Sequence, residues 1–418
     1  MSSQPCPACG IELPVDPGFI TWCHECGWNL SQQEQRATSA LERTVGAIAR
    51  RLDGRLHEEM ANRANLAPRL TASKLGGYAI AVAVHAASLG IAAAGVWLLL
   101  SDVTLFPKIG GALLIGLAFL MRPRLGARPS EGVLPREEAP ALYALANEIA
   151  EELGAPGAQT IVVTPDFNAS WSTVGLRRER VLSLGLPLLA VLDQEEQVAL
   201  IAHEVAHSRN GDAFRGLIVG SAVDSLWQLY VTLAPDSAQL DSSEVSVLEV
   251  VSRPVMWLMA QPFRLLLLLE LQFLLRDSQR AEYLADALAA RVAGTSAVVR
   301  LHEKLLLDGS ATMAVHRYAM GRQAVEGDVF DAMRDAIAGV PAREVERRRQ
   351  LARLETTRLS ATHPPTGKRI LLLERRANVP ASLTPDVTRL EAIEADLRDV
   401  RSRLSKRLVE QYRSSLHG

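Results

Sequence analysis

Residues 199–212 read ALIAHEVAHSRNGD, an apolar helical run interrupted by His203, Glu204, His207 and Asp212. A helix turns about 100° per residue, so two histidines four apart share one face and aim both imidazoles at one point. Glu204, beside the first of them, reaches a water held at that point without taking a coordination position. This is the HExxH pattern, whose chemistry is a catalytic zinc with an adjacent general base. Two structural histidines on an amphipathic helix is the competing reading. Just upstream, Asp193 and Glu196 are spaced as a capping box, which opens the helix.

Two histidines leave the site incomplete, because a catalytic zinc takes a third protein ligand and keeps one position for water. The segment AEYLADALAA (281–290) offers Glu282 as that ligand, with Asp286 one turn on. Asp286 is placed to accept the free ring N–H of a ligand histidine and so fix its tautomer. ExxxD alone is weak, since helices hold many such pairs.

Around this centre the chain has 418 residues, a net charge of −2 and 48% hydrophobic residues. That length accommodates about two to four structural units. Near-neutral charge gives no field for nucleic acid, and no nucleic-acid partner is expected. The start, MSSQPCPACG, is polar and carries no secretion signal pattern.

All four cysteines fall in the first 26 residues, as Cys6-Pro-Ala-Cys9 and Cys23-His-Glu-Cys26, separated by a 13-residue loop. Two such knuckles form a four-sulfur cage of zinc-ribbon type over 1–30, and a pair of disulfides or redox units is the weaker alternative. Reduced thiols place this end in the cytosol. His24 is not needed, because four sulfurs close the shell.

Residues 31–75 read as a polar, Arg-rich helical linker. GGYAIAVAVHAASLGIAAAGVWLLL (76–100) then runs 25 residues without a formal charge, long enough to cross a bilayer core of about 30 Å. A second apolar run, 109–121, extends to a span if Leu105 and Phe106 join it, giving a transmembrane hairpin over 76–121. Basic residues on both flanks (Arg50, Arg51, Arg55, Arg63, Arg69 and Lys74 before; Arg122, Arg124 and Arg128 after) put both flanks in the cytoplasm. His85, inside the first span, reads as a neutral imidazole facing a partner helix rather than as a functional group.

From 135 the chain turns polar and amphipathic. A helix over 141–154 and strands over 160–165 and 180–186 lead into the HExxH helix, with the irregular segment 168–175 between the strands. The insertion 217–275 holds two apolar stretches. Asp224, Arg264 and Glu270 leave open whether they span the membrane or pack on the soluble domain. The tail, 384–418, places Leu390, Ile393, Leu397, Val400 and Leu404 at 3-4 spacing, the pattern of a helical arm or short coiled coil.

The ordered set of apolar hairpin, Asn168-Ala169, HEVAHSRNGD, EYLAD and THPPTGKRI (362–370) resembles the membrane zinc metalloproteases that include HtpX and the type I CAAX prenyl proteases. The resemblance spans 70–375 and leaves out the ribbon and the tail. It implies a mainly α fold with a small β-sheet, an α+β zincin-like domain over 135–380, and Zn2+ held by His203, His207 and Glu282. Glu204 becomes the base and Asp286 the partner of a ligand histidine. His363 and Arg369 fall in the late motif by the active site, with an oxyanion role for His363. Asn168 and Ala169 match the edge-strand segment on which a substrate peptide adds as a further strand. Two features depart from the family. Gln279 stands where a serine is usual, and the segment after Asn168 is longer before its glycine.

The sequence thus points to a membrane-anchored zinc endopeptidase, catalytic domain cytoplasmic, with one catalytic and one structural zinc. Its expected substrates are proteins or peptides, in membrane-protein quality control or regulated proteolysis, with the ribbon free to bind a protein partner. An intramembrane protease fits less well, because DQEEQ and SRNGD flank the motif helix. An inert membrane-tethered adaptor fits less well because the catalytic positions are intact.

Overall fold

The computed structural model describes residues 2–30, 44, 56–63, 70–102, 104–123, 126–175, 177–211, 215–234, 247–321, 327–354 and 364–416. His363, Asp212 and most of the linker lie outside them.

The N-terminal unit is a hairpin of β1 (Ser2–Pro5) and β2 (Glu12–Val15). Gly10 and Gly27, at φ +78° and +70°, turn back so that their N–H groups meet the carbonyls of Cys6 and Cys23. Cys6 and Cys26 Sγ lie 3.7 Å apart, and Cys9 and Cys23 Sγ 3.6 Å. A tetrahedral zinc with sulfur bonds of about 2.3 Å sets its sulfurs about 3.8 Å apart, so the cage fits that ion.

Two apolar helices follow, α1 (Ala72–Leu100) and α2 (Leu105–Leu120). They cross where a Cβ on Gly95 would come 2.8 Å from the Gly111 carbonyl oxygen, so small residues set their approach. At 16 residues, α2 is short for a full span. Its extension through Leu105 and Phe106 occurs but goes no further.

The region after the hairpin opens with β3 (Val133–Leu134) and α3 (Pro140–Leu153), then β4 (Thr160–Thr164), β5 (Ala169–Val174) and β6 (Glu179–Gly185). The sheet order is β3-β4-β6-β5, with β4 and β6 parallel and the other pairs antiparallel. Among the described residues β5 pairs with β6 alone, leaving it an edge. A short α4 (Leu186–Val191) leads to α5 (Gln194–Asn210), which carries the HExxH motif. The capping box forms: Asp193 N donates to Glu196 Oε2 at 2.8 Å.

A π-helical turn (Gly216–Gly220) then runs into α6 (Ser221–Leu233), and α7 (Val247–Ala293) is one 47-residue helix carrying both the second apolar stretch and Glu282. By length and composition, three helices among the described residues are able to cross a membrane: Ala72–Leu100, Gly216–Leu233 and Ser252–Ala293. Their large exposed apolar side chains include Leu89, Trp97, Trp227, Trp257 and Leu265. His85 Nε2 meets the Ile218 carbonyl at 3.0 Å and Ser221 Oγ at 3.1 Å, so its imidazole does face a partner helix.

The remaining helices are α8 (Thr295–Leu305), α9 (Asp308–Ala319), α10 (Val329–Ala338), α11 (Ala342–Leu354), α12 (Thr366–Arg375) and α13 (Val387–Ser415). One core joins α3, the sheet, α5, the end of α7 and α8 to α10. The tail corrects the reading as an arm or coiled coil. Ile393, Leu397, Val400 and Leu404 of α13 are buried in that same core, and Asp396 Oδ2 accepts the N–H groups of Ala141 and Leu142 at the start of α3. A 3-4 stripe specifies which face is buried, not what buries it. The ribbon is docked as well: Arg343 of α11 donates to the carbonyls of Pro14 and Trp22.

Candidate active site

The motif helix is buried on nearly every side, Val198 to Ala206 without a break, which is why its polar residues have to find partners inside the protein. His203, Glu204 and Glu282 are buried, and His207 lies at the rim. His203 and His207 Nε2 are 3.3 Å apart. Glu282 Oε2 lies 3.4 Å from His203 Nε2, and Oε1 lies 3.5 Å from His207 Nε2. Nitrogen bonds of about 2.0–2.1 Å around a tetrahedral zinc put neighbouring ligand atoms about 3.3 Å apart. The three donors fit a zinc ion.

Behind them lies a second layer. Asp286 Oδ1 sits 3.1 Å from His203 Nδ1. Arg369, brought by α12, forks onto Asp286, with Nε to Oδ2 at 2.8 Å and Nη2 to Oδ1 at 2.6 Å, while Nη1 reaches Glu282 Oε2 at 3.3 Å. Arg369 Nη2 is also 3.2 Å from His203 Nε2. The same Nη2 lies 3.3 Å from Nδ1, so it does not choose between the ring nitrogens; Asp286, an acceptor beside Nδ1, draws the ring proton there. This tautomer presents Nε2 to a metal.

Burial and the Arg369 charge both oppose a proton on His203, yet its bonds to Asp286 and Glu282 outweigh them and lift its pKa to about 10. The carboxylates therefore demand positive charge where the histidines meet. They also hold Arg369 more firmly protonated, against the pull of burial.

Sequence reasoning missed His302. It is 1% exposed, on α8, with Nε2 3.0 Å from Asp286 Oδ1. Burial and Arg369 push its pKa down to about 4, so it is a neutral imidazole. No spacing signal marks it, since LHEKL (301–305) reads as an ordinary amphipathic turn.

Of the other predicted positions, Ala169 opens β5, which packs beside α5, and the Asn168 carbonyl accepts the Gly185 N–H at 2.8 Å. A Cβ on Gly185 would strike the Asp166 oxygen at 1.9 Å, so only glycine lets this loop close on the sheet. His363 is not among the described residues; Pro364 and Pro365 lead directly into α12 and Arg369. Where the family departure lies, Gln279 is buried and Arg280 binds both oxygens of Glu59 at 2.9 Å, tying the linker to α7.

Peptidase family M48 matches residues 136–377, which include His203, Glu204, His207, Glu282, Asp286, His302 and Arg369. Among curated proteins, the chain is 26% identical over 257 residues to a "Protease HtpX homolog" of Thermococcus sibiricus, covering 59% of this chain and 76% of that one. A "Protease HtpX homolog" of Pyrococcus abyssi is 24% identical over 258 residues, with the same shares. "Protease HtpX" of Xanthomonas oryzae pv. oryzae is 27% identical over 222 residues, 51% of this chain and 64% of its own. No solved structure matches. With its ligand-spaced histidines and glutamate inside the matched segment, the chain belongs to peptidase family M48 and is an HtpX-like protease.

Proposed function

We propose that this protease is a zinc endopeptidase that cleaves proteins or peptides at the cytosolic face of a membrane, as in membrane-protein quality control. The carrying observation is the set of three donor atoms at tetrahedral spacing, with Glu204 next in sequence to one of them. Charge supports it. Glu204, Glu282 and Asp286 act on Arg369, and with the histidines neutral, as metal ligands are, the formal sum is −2, which a divalent cation cancels.

His203, His207 and Glu282 would hold the zinc, which when bound would supply Lewis acidity for the scissile carbonyl and the attacking water. Glu204 takes a proton from that water as its oxygen bonds to the carbonyl carbon. It then gives the proton to the amide nitrogen as the C–N bond breaks, leaving a carboxylic acid and an amine. Asp286 and Arg369 hold His203 and Glu282 in place. His363 remains assigned to the oxyanion by its motif alone, and the β5 edge from Ala169 is where an extended substrate adds. In the ribbon, Cys6, Cys9, Cys23 and Cys26 hold a structural zinc, with no position open to substrate. The ribbon's free surface is the place for a protein partner.

Casein cleavage by the detergent-solubilised protein tests this reading. Cleavage should stop with a chelator and return with added zinc, and chelator-insensitive cleavage would contradict it. Asp286→Ala should weaken zinc binding at the His–Glu site roughly 10–100-fold, so that activity returns at high zinc. A variant fully loaded with zinc yet still inactive would place Asp286 in the chemistry or the fold instead.

Because His203 and Glu282 meet, the two apolar helices between them cross the bilayer together or not at all. With both hairpin helices crossing and basic residues on both flanks, this supports a cytosolic side for the site and the ribbon alike. A membrane-impermeant thiol reagent on intact cells should label Asp102→Cys and miss Ser130→Cys. The reverse pattern would overturn the orientation.

A further inference from the structure

We propose that His302 is a positioning residue: from α8 it holds the Asp286 carboxylate in the orientation that engages His203. This rests on the reading of His203 as a zinc ligand and adds a member the motifs do not include.

The case begins with hydrogen-bonding capacity. Asp286 is fork-bound to Arg369 and is therefore an acceptor, so His302 Nε2, 3.0 Å away, has to be the donor. A neutral imidazole then leaves Nδ1 bare, and that atom is buried with no hydrogen-bond partner among the described residues. Leaving a buried acceptor unmet is unfavourable, and an apolar side chain of similar size would avoid it. The histidine is accounted for by its charge-assisted bond to Asp286.

The bond also comes from a fixed element. Two residues to either side of His302, Arg300 Nε reaches Glu196 Oε1 at 3.1 Å and Lys304 Nζ reaches Glu196 Oε2 at 2.6 Å. Glu196 belongs to the capping box of α5, the helix that carries His203 and His207. Helix α8 thus grips the start of the ligand helix and, through Asp286, one of its ligands. The His302 and His203 rings stand nearly perpendicular, with centroids 6.5 Å apart, so His302 acts across the carboxylate and not by direct contact. Asp286 receives hydrogen bonds from α5, α8 and α12, which leaves its side chain little room to rotate.

The test measures the zinc dissociation constant of the His–Glu site in the full-length, detergent-solubilised protein, by chelator competition with the four-cysteine site occupied. His302→Leu should weaken zinc binding about 3–10-fold, a fraction of the roughly 10–100-fold attached to losing Asp286 itself. His302→Gln, whose amide nitrogen reaches the place of Nε2, should recover wild-type affinity to within about twofold. In an Asp286→Ala background, His302→Leu should cost nothing further, the signature of two residues acting through one bond. An unchanged affinity in His302→Leu, even with a lowered Tm, would reduce His302 to a core residue and overturn the proposal. So would an equal loss in the Asp286→Ala background. If His203→Ala itself keeps both zincs, the zinc reading of the site fails, and this inference falls with it.

Discussion

Glu204→Gln should reduce peptide hydrolysis by roughly 10²–10⁴-fold while leaving two zincs per chain, one in each donor cluster. Glu204 is buried beside His203 but is not among the three converging donors, so the amide removes the proton carrier and keeps the cage. The substitution is nearly isosteric and takes one negative charge from a pocket with an excess of them, so the fold should hold or gain slightly. Metal analysis and casein cleavage on one preparation check both halves. Retained cleavage would remove Glu204 from the chemistry, and a lost zinc would make it a ligand.

Arg369→Met should be the most damaging single change to the fold of this region. Arg369 is buried and is the cation that balances Asp286, Glu282 and Glu204. Removing one partner of a buried charge cluster costs about 3–5 kcal/mol, because the carboxylates stay desolvated and lose its balancing charge. For a domain of this size that lowers Tm by roughly 6–20 °C. Arg369→Lys should recover part of the loss, since it restores the charge but not the two-pronged bond to Asp286. Thermal unfolding of the three proteins with saturating zinc measures it, and a wild-type Tm in Arg369→Met would mean that the carboxylates find their balance elsewhere.

The local features of the site were legible because their chemistry is written in short spacings. The i, i+4 histidines, the capping box at Asp193 and Glu196, and the paired CxxC knuckles each declare a geometry within a few residues. Glu282 and Asp286 were found by asking what a two-histidine site lacks, not by any signal of their own. What stayed hidden is long-range pairing between helices. Arg369 meets Asp286 across 83 positions, and His302 meets it across 16, with nothing in either helix to announce the partner. The same holds for Arg343, which grips the ribbon from 329 positions away at Pro14. For α13 the apolar stripe gave the buried face correctly, yet the catalytic core covers it. For 217–275, hydropathy could not say that the second stretch continues unbroken into the helix bearing Glu282.

The central claim is that His203, His207 and Glu282 form one zinc site beside Glu204. The most direct measurement is the zinc content and casein-cleaving activity of Glu282→Ala against the wild type, both purified full-length in detergent. The account predicts two zincs in the wild type and one in the variant, with activity lost together with the missing ion. Full activity and both zincs in Glu282→Ala would contradict it.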